Sequence, residues 1–149
     1  MSNIKTTYVT FEQAKWLKKK GFDEITYSSY ITFDDWKTHN IDYCINLPLT
    51  QFLNRGDDNV LARPEQWKAI EWLRVNHGIW ISVNYIGKES YYGEKNNKCI
   101  FDISKIPTGK SIFNSWENVD KDIKPKPLYY SAPQEAYSAA FDYILKELI

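Results

Sequence analysis

The sequence predicts an α+β fold, an antiparallel sheet with about three helices packed mainly on one face, and three observations carry that expectation. Between Arg63 and Ile86 the apolar period changes from that of a helix to that of a strand at one glycine. Short β-prone runs broken by turn signals lie on both sides of this stretch. Two more amphipathic segments, one near each end, open on capping sequences.

The central stretch is the best determined. Pro64 suits the first position of a helix, where its missing N–H has no partner to lose, and Glu65 favours the positive end of the dipole. At about 100° per residue, Ala69, Ile70 and Leu73 share a stripe flanked by Trp67 and Trp72, while Lys68, Glu71 and Arg74 face away. Gly78 accepts the left-handed backbone that ends such a helix. From Ile79 the period is two: Ile79, Ile81, Val83 and Tyr85 point one way and are expected to pack on this helix. Trp80, Ser82, Asn84 and Ile86 point the other way. Trp80 is the odd residue of the polar set, and a second layer covering it is the ordinary expectation.

Upstream, Thr10 and Gln13 form a capping box before a short helix with Phe11, Ala14 and Leu17 inward and a stop at Gly21. Glu24 to Phe33 and Tyr43 to Leu47 are β-prone and should form a hairpin or lie side by side. Thr50 to Ala62, with its Asn54–Asn59 turn signal, reads as an exposed connection. Downstream, Lys98 to Ile103 reads as a strand in an antiparallel meander, and Pro107 to Pro127 as irregular. Leu128 to Tyr130 is a last short strand. Ser131 and Gln134 suggest a second capping box, opening a helix with Tyr137, Ala140, Phe141, Ile144 and Leu148 inward.

Composition bounds the function. The 149 residues suit a single domain covering 1–149, and nineteen basic residues balance nineteen acidic ones, so no global field draws the chain to nucleic acid or an anionic membrane. Nucleic acid is therefore the weakest of the partner readings, left to the lysine clusters 18–20 and 121–126. No apolar run approaches the roughly 20 residues that span a bilayer. Cys44 and Cys99 have no metal-ligand or redox spacing and read as reduced, buried thiols of a cytoplasmic protein. Asp34, Asp35 and His39 share one loop without a fourth partner, which is weak support for a metal, so no metal or cofactor is expected.

Chemistry leaves no signature. His77 stands at a helix end, where packing or capping is the usual role, and no nucleophile has flanking motif residues. The expectation is a non-catalytic binder, with a small enzyme of unrecognised type as an alternative. The unusual quantity is the aromatic load: six Trp, eleven Tyr and seven Phe, 16% of the chain. Such rings stack on planar ligands and also form hot spots at protein interfaces. Trp80, Tyr91, Tyr92 and Trp116 are the candidate ligand-binding residues, for a small nucleotide-like ligand whose phosphates Lys or Arg would hold. A host protein, or a second copy of the chain in a homo-oligomer, is the alternative partner for the same rings.

Three segments carry a family resemblance: Val9 to Glu24, Pro64 to Trp80, and Pro133 to Leu148. Together they resemble a group of small uncharacterised proteins of bacteriophages and mobile elements of gut Bacteroidota. The resemblance spans the three helices and the central strand, while the middle loops and 107–127 diverge. It implies a phage-type accessory protein acting inside a bacterial cell, and in that context the binder expected from the aromatic load would serve counter-defence, sequestering a nucleotide immune signal. It transfers no catalytic residue to any position.

Overall fold

The computed structural model describes residues 5–31, 43–46, 60–85, 98–115 and 129–149, with backbone alone for 43–46. The order is α1 (Phe11–Lys19), β1 (Ser28–Ile31), β2 (Tyr43–Asn46), β3 (Val60–Ala62), α2 (Gln66–His77), β4 (Ile79–Tyr85), β5 (Cys99–Lys105), β6 (Lys110–Asn114) and α3 (Pro133–Tyr143), followed by a π-helical turn, Ile144–Leu148. The class is α+β, and the strands divide into two antiparallel sheets, ordered β2-β1-β3 and β4-β5-β6. By internal contacts the chain forms two compact units, one of residues 1–69 with 145–149 and the other of residues 70–144.

In the first unit α1 starts as its sequence demands. The N–H of Gln13 donates to Thr10 Oγ1 (3.2 Å) and the N–H of Thr10 donates to Gln13 Oε1 (3.0 Å), which satisfies two amides that a helix start otherwise leaves open. Such a cap contributes about 1 kcal/mol. Phe11, Ala14 and Leu17 are buried as the period requires, and α1 packs on β3. Gly21 follows at φ +88°, a conformation that excludes most side chains. Phe22 and Leu61 complete this core. Tyr30 on β1 meets Phe11 edge to face at 5.5 Å, and its hydroxyl donates to the Val9 carbonyl at 2.6 Å.

Strands β1 and β2 lie side by side as expected, with Tyr30 opposite Cys44. The expectation of an exposed connection over Thr50 to Ala62 is corrected at its end. Val60, Leu61 and Ala62 pair with Ile31, Tyr30 and Ser29, and Leu61 is fully buried. Three residues are too few for alternation to declare itself, so tertiary pairing decided their state.

The predicted helix start at Pro64 moves to Gln66, because Pro64 and Glu65 are engaged with the segment before α1. The Val9 N–H donates to the Pro64 carbonyl (3.1 Å), the Gln66 N–H to the Thr7 carbonyl (2.9 Å), and Tyr8 and Glu65 form an isolated antiparallel bridge. At the other end of the helix Gly78, at φ +62°, is the stop the sequence predicted.

In the second unit β4, β5 and β6 form the expected meander. Ile79, Ile81, Phe101 and Ile103 face the core, and the helix laid on β4 and β5 is α3, where the alternation predicts α2. Periodicity reveals that a face is buried without naming what buries it. Strand β6 also corrects the irregular reading of 107–127. Phe113 stacks on Phe101 (centroids 5.5 Å apart, 20° between planes) and meets Tyr143 in a tilted contact (4.2 Å, 31°), so a partly aromatic run takes its order from packing despite the nearby Pro107 and Gly109. Of the predicted strand Leu128 to Tyr130, the described part is one bridge, Tyr130 to Cys99.

The opposite face of this sheet is polar. Asp102 accepts hydrogen bonds from Ser104 Oγ (2.6 Å), Ser111 Oγ (2.6 Å) and Asn114 Nδ2 (3.2 Å), beside a register shift at Ile103/Ser104.

The expected capping box at Ser131 and Gln134 is absent. The N-cap is Ala132, with Pro133 opening the helix and no side-chain cap. Glu135 reaches back instead, accepting from the Ser131 N–H (3.1 Å) and Oγ (2.7 Å), and these bonds hold its carboxyl below the usual carboxylate range. A folded-state pKa below the unfolded one adds stability above the unfolded value of about 4.5, and that increment disappears as pH falls through the folded value. Glu135→Gln is therefore expected to reduce the loss of melting temperature between pH 5 and 3; an unchanged profile would count against the contact.

Candidate functional site

The cleft with the most functional chemistry lies wholly within the first unit. It encloses about 390 Å³ and is lined by Tyr8, Thr26, Tyr27, Ser28, Arg63, Glu65, Trp67 and Lys68. That volume falls in the roughly 300–1,000 Å³ range of small-molecule sites. Its walls come from the segment before α1, the entry to β1, and the join between β3 and α2.

Arg63 is the fixed point. It follows β3 directly, and its backbone N–H donates to the Ser28 carbonyl at 2.9 Å, so the residue is anchored to β1 at its root. Its guanidinium lies 4.1 Å from the Tyr8 ring centroid and 5.2 Å from that of Tyr30, and Nη1 donates to Ser28 Oγ at 3.2 Å. Cation–π contacts of this kind contribute about 0.5–2 kcal/mol each. Arg63 Nε is buried and makes no hydrogen bond among the described residues. A planar five-donor group is thus clamped with part of its donor capacity unused.

The hydroxyl floor is ordered as well, Thr26 Oγ1 donating to the Ser28 carbonyl at 2.9 Å. The rim comes from the first turn of α2 and the approach to β1. Trp67 is 61% exposed and Tyr27 46% exposed, large areas of ring for an aqueous surface. The Trp67 indole N–H donates to a Glu65 carboxylate oxygen, and Lys68 Nζ donates to the Ile25 carbonyl. Two cations, one carboxylate and several rings converge on one cavity.

The predicted site residues are distributed differently. Trp80 lies on β4 in the second unit, 48% exposed on the polar face, with Nε1 donating to Ser82 Oγ at 3.1 Å, so the described residues leave half of it open where a covering layer is expected. Tyr91, Tyr92 and Trp116 lie outside the described residues, as do Asp34, Asp35 and His39. His77 packs edge to face against Trp72 at 4.7 Å. Among the described residues no group of three or more His, Cys, Asp or Glu side chains is placed to hold a metal, and no helix is long and apolar enough to cross a membrane. Cys99 is a free, buried thiol.

Sequence reasoning passed over the cleft although one signal was legible. Arg63, Glu65, Trp67 and Lys68 fall within six consecutive positions at a strand-to-helix join, bringing a guanidinium, a carboxylate, an indole and an ammonium together locally. What no local pattern shows is that Tyr8, Tyr27 and Ser28 close the other wall. No known protein family, no curated protein and no solved structure matches the chain.

Proposed function

We propose that the chain is a non-catalytic binding protein that sequesters a small planar anionic ligand, of nucleotide type, in the cleft around Arg63. The observation that carries this reading is the clamped Arg63 guanidinium, set between Tyr8 and Tyr30 in a cavity whose rim is exposed Trp67 and Tyr27. A phosphate supplies the acceptors that Arg63 and Lys68 favour, and a base supplies a flat face for the rings. Both interactions bind without breaking a bond. The resemblance to phage-type accessory proteins supplies a context in which capture alone is useful, namely withdrawing a nucleotide signal of host immunity inside a bacterial cell.

The test is thermal and spectroscopic. Nucleoside monophosphates at a hundred times their dissociation constant are expected to stabilise the fold by about 2.7 kcal/mol, raising the melting temperature by roughly 5–10 °C. Tryptophan fluorescence should change in parallel, and the nucleotide should be recovered intact after incubation. Trp67→Ala should weaken binding by about 1–3 kcal/mol, the usual contribution of one stacked base, with little effect on the free protein because the ring is exposed. Stabilisation by inorganic phosphate equal to that by nucleotides would refute recognition of a base, and release of a cleaved product would refute sequestration.

A further inference from the structure

We infer that the cleft selects guanine over the other bases, with the Glu65 carboxylate as the group that reads it. This inference rests on the nucleotide-binding reading above and adds the identity of the base. Glu65 lines the same cavity as Arg63 and Trp67. A carboxylate beside a phosphate-binding guanidinium repels a simple anion, so its presence calls for a ligand with an acidic end and a donor-rich edge. The Trp67 indole N–H is bonded to one carboxylate oxygen, which ties the carboxylate to the ring on which a base would stack. The chain direction is fixed below it as well, through the bridge between Tyr8 and Glu65.

An ionised carboxylate has two oxygens and about four acceptor sites. After one is given to the indole, both oxygens keep capacity for a ligand. Guanine presents two adjacent donors, N1–H and the N2 amino group, at the spacing of the two oxygens. Adenine sets its amino group beside the N1 acceptor, and cytosine sets its amino group beside N3, so each places a lone pair against a carboxylate oxygen. Uracil flanks its single N–H with two carbonyls. Of the four bases only guanine meets a carboxylate with two donors and no opposing acceptor.

The experiment compares GMP, IMP, AMP and UMP on the full chain by calorimetry. IMP lacks only the N2 amino group. GMP is expected to bind about ten-fold or more tightly than IMP, the scale set by one bidentate base contact, and AMP and UMP to bind more weakly still. Glu65→Gln keeps an acceptor for the Trp67 indole but offers one donor and one acceptor, so preference should move from GMP toward AMP. Equal affinity for GMP and IMP, or a Gln variant that still favours GMP, would overturn the guanine assignment and leave the nucleotide cleft standing. Absence of binding by all four would overturn both. The wild-type comparison of GMP with IMP decides the matter even if the variant fails to fold.

Discussion

Arg63→Met is expected to weaken nucleotide binding by about two orders of magnitude, so that concentrations just saturating the unaltered protein leave the variant mostly empty. Removing a hydrogen-bonded charge from a recognition site costs about 2–5 kcal/mol, on the order of a hundred-fold or more in affinity. The free protein should change much less. Methionine keeps an apolar body over the Tyr8 ring, and the change removes a buried Nε that makes no hydrogen bond among the described residues, offsetting part of the lost cation–π contact. Arg63→Lys, which keeps the charge and loses the planar fork, should fall between the two. Titration calorimetry beside a urea melt separates these effects. Equal loss of binding and stability would mean that Arg63 serves the fold alone.

The second large effect concerns the other unit. Phe101 is 2% exposed, stacked on Phe113 and 5.7 Å from the Tyr130 ring, and its backbone is held on both sides by Ser115. The Phe101 N–H donates to Ser115 Oγ and the Ser115 N–H to the Phe101 carbonyl, both at 2.9 Å, so the surroundings have little freedom to collapse into a void. Phe101→Ala is therefore expected to cost about 3–5 kcal/mol, roughly a fifth or more of the stability of an ordinary domain. The urea midpoint should drop in proportion. A loss below about 1 kcal/mol would show that the ring is not sealed in a core.

These residues also show where sequence reasoning succeeds. Capping chemistry and glycine placement are local, so Thr10 with Gln13 and the stops at Gly21 and Gly78 were legible, as were strands β4 and β5 and the inward Ile79 and Ile81, whereas Tyr85, expected inward with them, is 60% exposed. Elements fixed by partners were not. Leu61 joins a strand of three because Tyr30 lies opposite it, and Phe113 becomes ordered because Phe101 and Tyr143 receive it. The cleft falls between these cases. The run from Arg63 to Lys68 placed half its chemistry in plain sight, but Tyr8 and Ser28 are 55 and 35 positions from Arg63 and meet it only in the folded chain. Choosing site residues by ring type alone favoured Trp80, which stands on an open sheet face, over Trp67, which the charges nearby distinguish.

The carboxylate of Asp102 has a bearing on alignment. The pairing of β5 with β6 shifts register at Ile103/Ser104, and a further slip by one position would exchange Phe113 and its outward neighbours between the two sides of the sheet. By accepting from Ser111 and Asn114 on one strand and Ser104 on its own, Asp102 acts as a latch across that irregular rung. A slipped sheet would forfeit those bonds together with the stack beneath them, so the acid on the wet side keeps the aromatic side in step.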